Sequence, residues 1–229
     1  MIDLQPFTTE REWTADGIPV LSAAVSVPQP VPCSDRFSRR VFRYYQLQSR
    51  AYLKYCQRDL LPQAAAACQA ALEVSAPLPL FRAELTYQIT FHDSHFLSLY
   101  TQSAESDGQY TRYLRRGDTW DLGSGYPVPL SDFFPPHSPW KRQILEQAAE
   151  EIQKQEAAGI AQYHAHRWQE LRRRFNPQNY YLTPEGLTVF FPMYAIAPAA
   201  ERIPTFLLAR GKNDPQPQDP AETKTSARP

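Results

Sequence analysis

The chain has 229 residues, of which 24 are Lys or Arg and 24 are Asp or Glu, so its formal net charge is zero at pH 7. This balance excludes a field of one sign over the whole molecule, the feature that draws many proteins to nucleic acids or anionic membranes. The hydrophobic content of 42% is enough to form a packed core in a chain of this length.

The first half of the chain predicts a strand followed by a long helix. Apolar residues alternate over 18–27, and a proline-rich stretch at 28–32 ends that strand. Ser34 is the expected N-cap of a helix over 35–59. Pro62 then kinks this helix or begins a second, alanine-rich one.

Three further segments predict a meander of antiparallel strands, at 81–91, 96–102 and 110–120. In the first of these, alternate residues from Phe81 to Phe91 are apolar and those between them are polar or charged. This pattern is typical of a sheet with one face buried and the other face in water.

Ser138 and Pro139 predict the start of a second long helix, which runs to Phe175 unless Gly159 breaks it. The remaining strands are expected at 180–182, 187–191 and 203–209. Together the elements predict an α+β fold in which an antiparallel meander sheet is covered by two long helices.

We expect one domain over residues 12–210, between an N-terminal extension at 1–11 and a disordered tail at 211–229 that is polar and rich in proline. The sequence shows no secretion signal after Met1 and no run of about 18 apolar residues. As written it predicts a cytoplasmic protein without a membrane span. A cell-surface location is expected instead if the start is misassigned or a leader has been removed.

Few residues are candidates for catalysis or metal binding. His92 and His95 have the spacing of metal ligands, but only Asp93 lies beside them, so an exposed turn is favoured over a metal site. Cys33 is the one thiol that we consider as a nucleophile paired with a distant histidine. No catalytic, metal or cofactor site is therefore predicted.

One side of the first predicted helix carries cations. At 100° per residue they occupy a narrow arc together with Leu47, opposite the apolar half. This basic stripe comprises Arg36, Arg39, Arg40, Arg43, Arg50, Lys54 and Arg58. It is either a solvated face, partly neutralised by Glu146 and Glu150, or a docking surface for an acidic protein, nucleic acid or an anionic cell-wall polymer. Its first four arginines are candidate binding residues.

The third strand of the meander supplies a second candidate surface. It interleaves aromatic and cationic residues, namely Tyr110, Tyr113, Arg115, Arg116 and Trp120. Such mixtures are enriched at recognition surfaces. A half-buried strand with an exposed arginine face gives the same pattern, and both interpretations are kept.

Three segments resemble a known protein family. Residues 121–125 and 128–134 resemble its D-x-x-x-G and L-x-D-L-F passage, 179–187 its N-F-Y-L-T-x-x-G-L hairpin, and 190–198 its Y-x-P-Y-E-I-A-P end. The family contains the extracellular module of the RsiV anti-sigma factor and the non-catalytic N-terminal region of the PdaC peptidoglycan deacetylase. The chain departs from it at Ala195, which replaces the glutamate of the last motif.

The resemblance covers about residues 12–210 and implies a bacterial α+β domain of unknown function. It implies a non-catalytic binding or sensory module, whose partner is an unknown protein or an anionic cell-wall polymer rather than a specific nucleic acid. The RsiV module senses lysozyme, which is strongly cationic and complements an arginine-rich stripe poorly. The alternatives are a hydrolase with an unrecognised active site, built on Cys33, His92 and His95, and a structural subunit of an operon-encoded assembly.

Overall fold

The computed structural model describes residues 3–209, within which the chain forms two β-sheets and four α-helices. The predicted tail at 211–229 lies outside the described residues. The strands are β1 (Asp3–Ala15), β2 (Ile18–Val31), β3 (Phe81–His92), β4 (Phe96–Ser106), β5 (Thr111–Asp121), β6 (Tyr180–Thr183), β7 (Gly186–Phe190) and β8 (Thr205–Ala209). The helices are α1 (Arg36–Tyr55), α2 (Leu61–Glu73), α3 (Trp140–Ala157) and α4 (Arg167–Arg174).

The larger sheet has the strand order β1-β2-β3-β4-β5. The predicted meander is confirmed in β3, β4 and β5, which pair antiparallel. β2 and β3 are parallel, with Leu21 opposite Phe81, so the prediction of a wholly antiparallel sheet is wrong at this junction. The reason is the helical crossover between the two strands, which returns the chain to the end of the sheet where β2 began.

The sheet begins earlier than predicted. Residues 3–11, expected as an N-terminal extension, pair with β2 as part of β1. Their polar sequence hides the strand because an edge strand needs few buried residues, and only Leu4 and Phe7 among them pack against the main core. β2 also continues through Pro28 and Pro30, beyond the residues that pair with β3, where a missing N–H on that side breaks no ladder.

α1 and α2 form one long helix joined by a π-helical turn at Cys56–Leu60. Asp35, rather than the predicted Ser34, is the N-cap, because its carboxylate accepts the N–H of Ser38 at 2.8 Å. The π-helical turn ends at Leu60, two residues before Pro62, which lacks the N–H that a regular helix needs at that point.

The second predicted long helix is divided into α3 and α4, so the prediction of two long helices is matched only in part. Gly159 has a φ of 67°, and its N–H bonds to the Glu156 carbonyl at 3.0 Å. The N–H of Ile160 bonds to the carbonyl of Gln155 at 2.9 Å. These two hydrogen bonds form a Schellman motif, which ends α3 at Ala157. The chain becomes helical again at Arg167.

The molecule is built in three layers. α1 and α2 pack on one face of the larger sheet and enclose the main core. The smaller sheet, in the order β6-β7-β8, packs with α3 around a second core on the opposite face, where β6 lies across β3, β4 and β5. Within residues 3–209, none of the helices combines the length and apolar character that a membrane span requires.

Candidate binding groove at the sheet edge

A groove of about 330 Å³ lies between α1 and the last two strands of the larger sheet. We call it the edge groove. Its lining includes Tyr52 and Tyr55 from α1, Ser103 and Glu105 from β4, and Arg112, Leu114 and Arg116 from β5. α1 packs mainly over β2, so the helix-facing side of β5 stays open.

The β5 residues that line the edge groove face water. Alternation along the strand directs every second side chain to this side. The exposed fractions are 54% for the side chain of Arg112, 46% for Leu114 and 60% for the side chain of Arg116. The rim therefore presents two guanidinium groups with an apolar side chain between them.

Glu105 anchors one end of the groove. It is 8% exposed and pairs with Arg112 at 3.0 Å. It also accepts the hydroxyls of Tyr55 at 3.1 Å and Ser103 at 3.2 Å. Burial raises the pKa of Tyr55, and the negative charge of Glu105 raises it further. Tyr55 therefore stays protonated and acts as a donor to the carboxylate.

Asp118 holds Arg116 in place at the other end of the groove rim. It is 7% exposed, accepts the hydroxyls of Tyr44 at 2.9 Å and Tyr45 at 3.3 Å, and pairs with Arg116 at 3.4 Å. Burial raises the pKa of Asp118 to about 6, although Arg116 and the two hydroxyls favour the charged form. Both buried carboxylates thus have fixed protein partners, and both hold an arginine at the rim.

These two carboxylates were not singled out in the sequence, although a signal was present. The odd-numbered residues of β4 from Leu97 to Glu105 are all buried. A glutamate in a series that is otherwise small or apolar indicates a buried, paired charge. On β5 the signal is weaker, because Asp118 stands between the exposed Arg116 and the buried Trp120 in the series of alternate residues.

The structure separates the aromatic and cationic residues predicted on the third strand of the meander. Tyr110 precedes β5 and is 71% exposed, and Arg116 lines the edge groove. Trp120 is 2% exposed and its indole N–H donates to the Tyr45 hydroxyl at 3.1 Å. Trp120 therefore belongs to the core and offers no surface to a partner.

Tyr113 and Arg115, the remaining two residues predicted on that strand, direct their side chains to the face of β5 that meets the smaller sheet. The guanidinium of Arg115 lies 4.1 Å from the ring centre of Tyr100 and donates to the Gln102 side chain at 2.7 Å. The ring of Tyr113 lies 5.4 Å from the guanidinium of Arg202. Both residues contribute to packing between the layers, and Arg115 also borders the edge groove.

The basic stripe faces away from the core. Among the salt bridges formed within residues 3–209, none involves Arg36, Arg43, Arg50 or Lys54, and all four are exposed. Neutralisation by the second predicted helix does not occur as expected, because the one cation paired with Glu146 is Arg142, at 3.5 Å.

Three arginines of the stripe have protein partners. Arg40 donates to the Gly125 carbonyl at 2.9 Å, and its guanidinium lies 4.1 Å from the ring centre of Tyr126. Arg39 donates to the Asp35 carbonyl at 3.2 Å. Arg58 pairs with Asp59 at 2.8 Å. Arg40 is thus a tether for the turn after β5 rather than a free surface charge.

His92 and His95 flank the turn between β3 and β4, as predicted. Asp93 serves this turn by accepting the N–H groups of His95 at 2.8 Å and Phe96 at 2.6 Å. Loss of solvation lowers the pKa of His92. Cys33 is half-buried before α1. In the described part of the chain, no group of three or more His, Cys, Asp or Glu side chains is placed to hold a metal ion.

Residues 131–210 match the family described as Protein of unknown function (DUF3298). A member of that family from Bacteroides fragilis has a similar crystal structure, with a TM-score of 0.63, 14% identity, and coverage of 91% of this chain and 90% of that chain. The crystal structure of a DUF3298 family protein from Pseudomonas aeruginosa PAO1 has a TM-score of 0.57 and 16% identity, and covers 91% of each chain. No curated protein matches significantly. Identities this low establish a shared fold alone.

Proposed function

We propose that the chain is a non-catalytic binding module of the RsiV and PdaC type, and that it holds an anionic partner against the side of the molecule formed by α1 and β5. The observation that carries the proposal is the charge on that side. Within residues 3–209, the exposed cations Arg36, Arg43, Arg50 and Lys54 have no ion-pair partner, and Arg112 and Arg116 stand at the neighbouring rim.

The energetics favour a partner for these cations. Like charges that lie three or four residues apart on a helix repel one another by a few tenths of a kcal/mol per pair. An anionic surface removes this repulsion and gains attraction from several charges at once. Because the cations are exposed, salt screens the attraction, and the binding is expected to weaken as the ionic strength rises.

The likeness to the RsiV and PdaC family supports a binding module. Segments 121–134, 179–187 and 190–198 carry the resemblance, and most of them fall within the part that matches the DUF3298 family. In this structure they form the turn after β5, the β6–β7 hairpin and the segment that leads to β8. They build the scaffold beneath β5 rather than the edge groove itself.

A matched pair of charge-reversal variants tests the docking surface. The variant Arg36→Glu/Arg43→Glu/Arg50→Glu is expected to elute from an anionic matrix at clearly lower salt than the wild type. The control Arg11→Glu/Arg142→Glu/Arg172→Glu changes the net charge equally on exposed residues elsewhere. Equal elution of the two variants would show that retention follows net charge alone, which contradicts a docking surface.

The hydrolase alternative is tested separately. The purified chain is expected to release no product from chitin or peptidoglycan fragments, without added metal or partner. Hydrolysis that is lost in a Cys33→Ala or His92→Ala variant would refute the non-catalytic proposal.

A further inference from the structure

β5 is the last strand of the larger sheet, and its C-terminal end is capped. The N–H of Val128 donates to the Thr119 carbonyl at 2.8 Å, and the N–H of Asp121 donates to the Tyr126 carbonyl at 3.0 Å. Alternate residues of an antiparallel strand direct their backbone groups to opposite sides. The pairing of β5 with β4 has no register shift, so every odd-numbered residue of β5 faces away from β4.

This pairing leaves a short stretch of the β5 edge, at Arg115 and Gly117, without a neighbouring strand from the residues that the structure describes, and we call this stretch the window. The N–H of Tyr113 is met by the sulfur of Met193 at 3.4 Å, which is a weak acceptor. Between Met193 and Tyr126, the N–H and C=O groups of Arg115 and Gly117 have no protein partner among residues 3–209. Two donors and two acceptors in this arrangement are what a short added strand requires.

The opposite edge of the sheet differs. β1 contains Pro6 and has a register shift between Trp13 and Thr14. Prolines and bulges are common features that protect an edge strand from pairing with another chain. β5 has neither feature between Thr111 and Asp121. Charge protects β5 from pairing with a second copy of itself, because such pairing would bring arginine side chains next to one another.

The side chains beside the window specify the partner. Arg112, Leu114 and Arg116 occupy every second position on the groove side, so an added strand places its own alternate side chains next to them. Glu105 lies 3.0 Å from Nη2 of Arg112, Asp118 lies 3.4 Å from Nε of Arg116, and both arginine side chains are more than half exposed. The remaining nitrogens of each guanidinium are available for a second carboxylate.

We propose that β5 is a docking edge, at which an extended segment of an acidic protein adds as a sixth strand. Its backbone pairs with Arg115 and Gly117, its carboxylates lie on Arg112 and Arg116, and an apolar residue between them covers Leu114. The inference rests on the proposed function and specifies the partner as a polypeptide, because only a polypeptide supplies the backbone groups that the window lacks.

The test uses a blocked seven-residue peptide, Thr-Glu-Thr-Val-Thr-Glu-Thr, whose alternate side chains Glu, Val and Glu lie on one face of a strand. It is titrated into the full chain and followed by NMR. Binding is expected to slow amide hydrogen exchange at Arg115 and Gly117. Arg115→Pro removes one N–H from an edge position that tolerates proline. Arg115→Ala loses the same side chain and keeps the N–H. The proline variant is expected to bind about tenfold more weakly than the alanine variant.

Equal affinities of the two Arg115 variants would overturn edge docking. A peptide with alternate N-methylated amides keeps every charge and is expected to lose binding, which also serves if the proline variant does not fold. If binding depends on Arg36, Arg43 and Arg50 but tolerates N-methylation, the proposed function stands and the docking edge falls. Alginate that competes as strongly as the peptide, at equal carboxylate concentration, would identify a polysaccharide partner and overturn the inference.

Discussion

Gly117 lies where β5 of the larger sheet closely approaches β6 of the smaller sheet. A Cβ atom at this position would overlap the carbonyl oxygen of Tyr180, which belongs to the backbone of β6 and cannot rotate away. The close approach explains why β5 carries a glycine in mid-strand, where the residue otherwise weakens a sheet.

We therefore expect Gly117→Ala to lower the free energy of unfolding by about 3 kcal/mol or more, at the upper end of the usual cost of overpacking. Urea denaturation measures the change. Gly123→Ala is the control, because a Cβ there meets only the flexible carboxylate of Asp121, at 3.2 Å. Equal stabilities of the two variants would contradict the packing described for β5 and β6.

Asp118 gives the fold a pH dependence. Burial raises its pKa from 3.8 in a free side chain to about 6 in the folded protein. The folded state therefore binds this proton more tightly than the unfolded state. The resulting stabilisation is fully present below about pH 4 and is lost as the pH rises through 6.

Asp118→Asn is expected to remove this dependence. As the pH rises from 4 to 7, the wild type should lose up to about 3 kcal/mol of stability relative to the variant, since a shift of one pKa unit corresponds to about 1.4 kcal/mol. Thermal melts at a series of pH values measure the difference. Glu150→Gln, an exposed change on α3, should leave the profile unchanged. Parallel profiles for wild type and Asp118→Asn would contradict the assignment.

At the scale of elements, α1 depends on its N-cap. The Asp35 carboxylate accepts the hydroxyl and the backbone N–H of Ser38, and these hydrogen bonds lower the pKa of Asp35. Replacement of a capping aspartate by alanine costs about 1 kcal/mol. Asp35→Ala should therefore destabilise the protein by about that amount, whereas Ser34→Ala should have little effect. Chemical denaturation distinguishes the two residues, and a larger loss for Ser34→Ala would contradict the assigned cap.

The elements that the sequence predicted well are those whose pattern is set by burial on one side. Alternation located β3 because its apolar face packs into the main core, together with α1 and α2. β1 was missed because its residues are mostly polar and it lies at an edge. The parallel junction of Leu21 with Phe81 was missed because strand direction depends on the crossover, which local patterns do not encode.

At the scale of the whole molecule, the three layers decide which predicted residues can meet a partner. Arg115 and Arg116 are adjacent in sequence and both border the edge groove, yet only Arg115 also packs against Tyr100 toward the smaller sheet. Arg40 belongs to the basic stripe by helical angle, but Gly125 and Tyr126 engage it. Sequence supplied the residue types of the candidate site. Their division between faces required the tertiary structure.

Binding of an anionic peptide to this surface is expected to weaken as the salt concentration rises. The cations of the basic stripe and of the groove rim are exposed, so their attraction for an anionic peptide is screened over about 10 Å at 0.1 M salt. The affinity for the Thr-Glu-Thr-Val-Thr-Glu-Thr peptide should fall steadily between low and physiological salt. A peptide in which Glu is replaced by Gln should bind weakly and show little salt dependence. Calorimetric titration at several salt concentrations measures both.

The most direct test of the account is a map of amide hydrogen exchange over the whole chain, with and without the acidic peptide. We expect new protection at Arg115 and Gly117 in β5, and none at the outer edge of β1, where Pro6 and the register shift oppose pairing. Protection that is absent from β5, or equal at both edges of the sheet, would contradict the addition of a strand at β5.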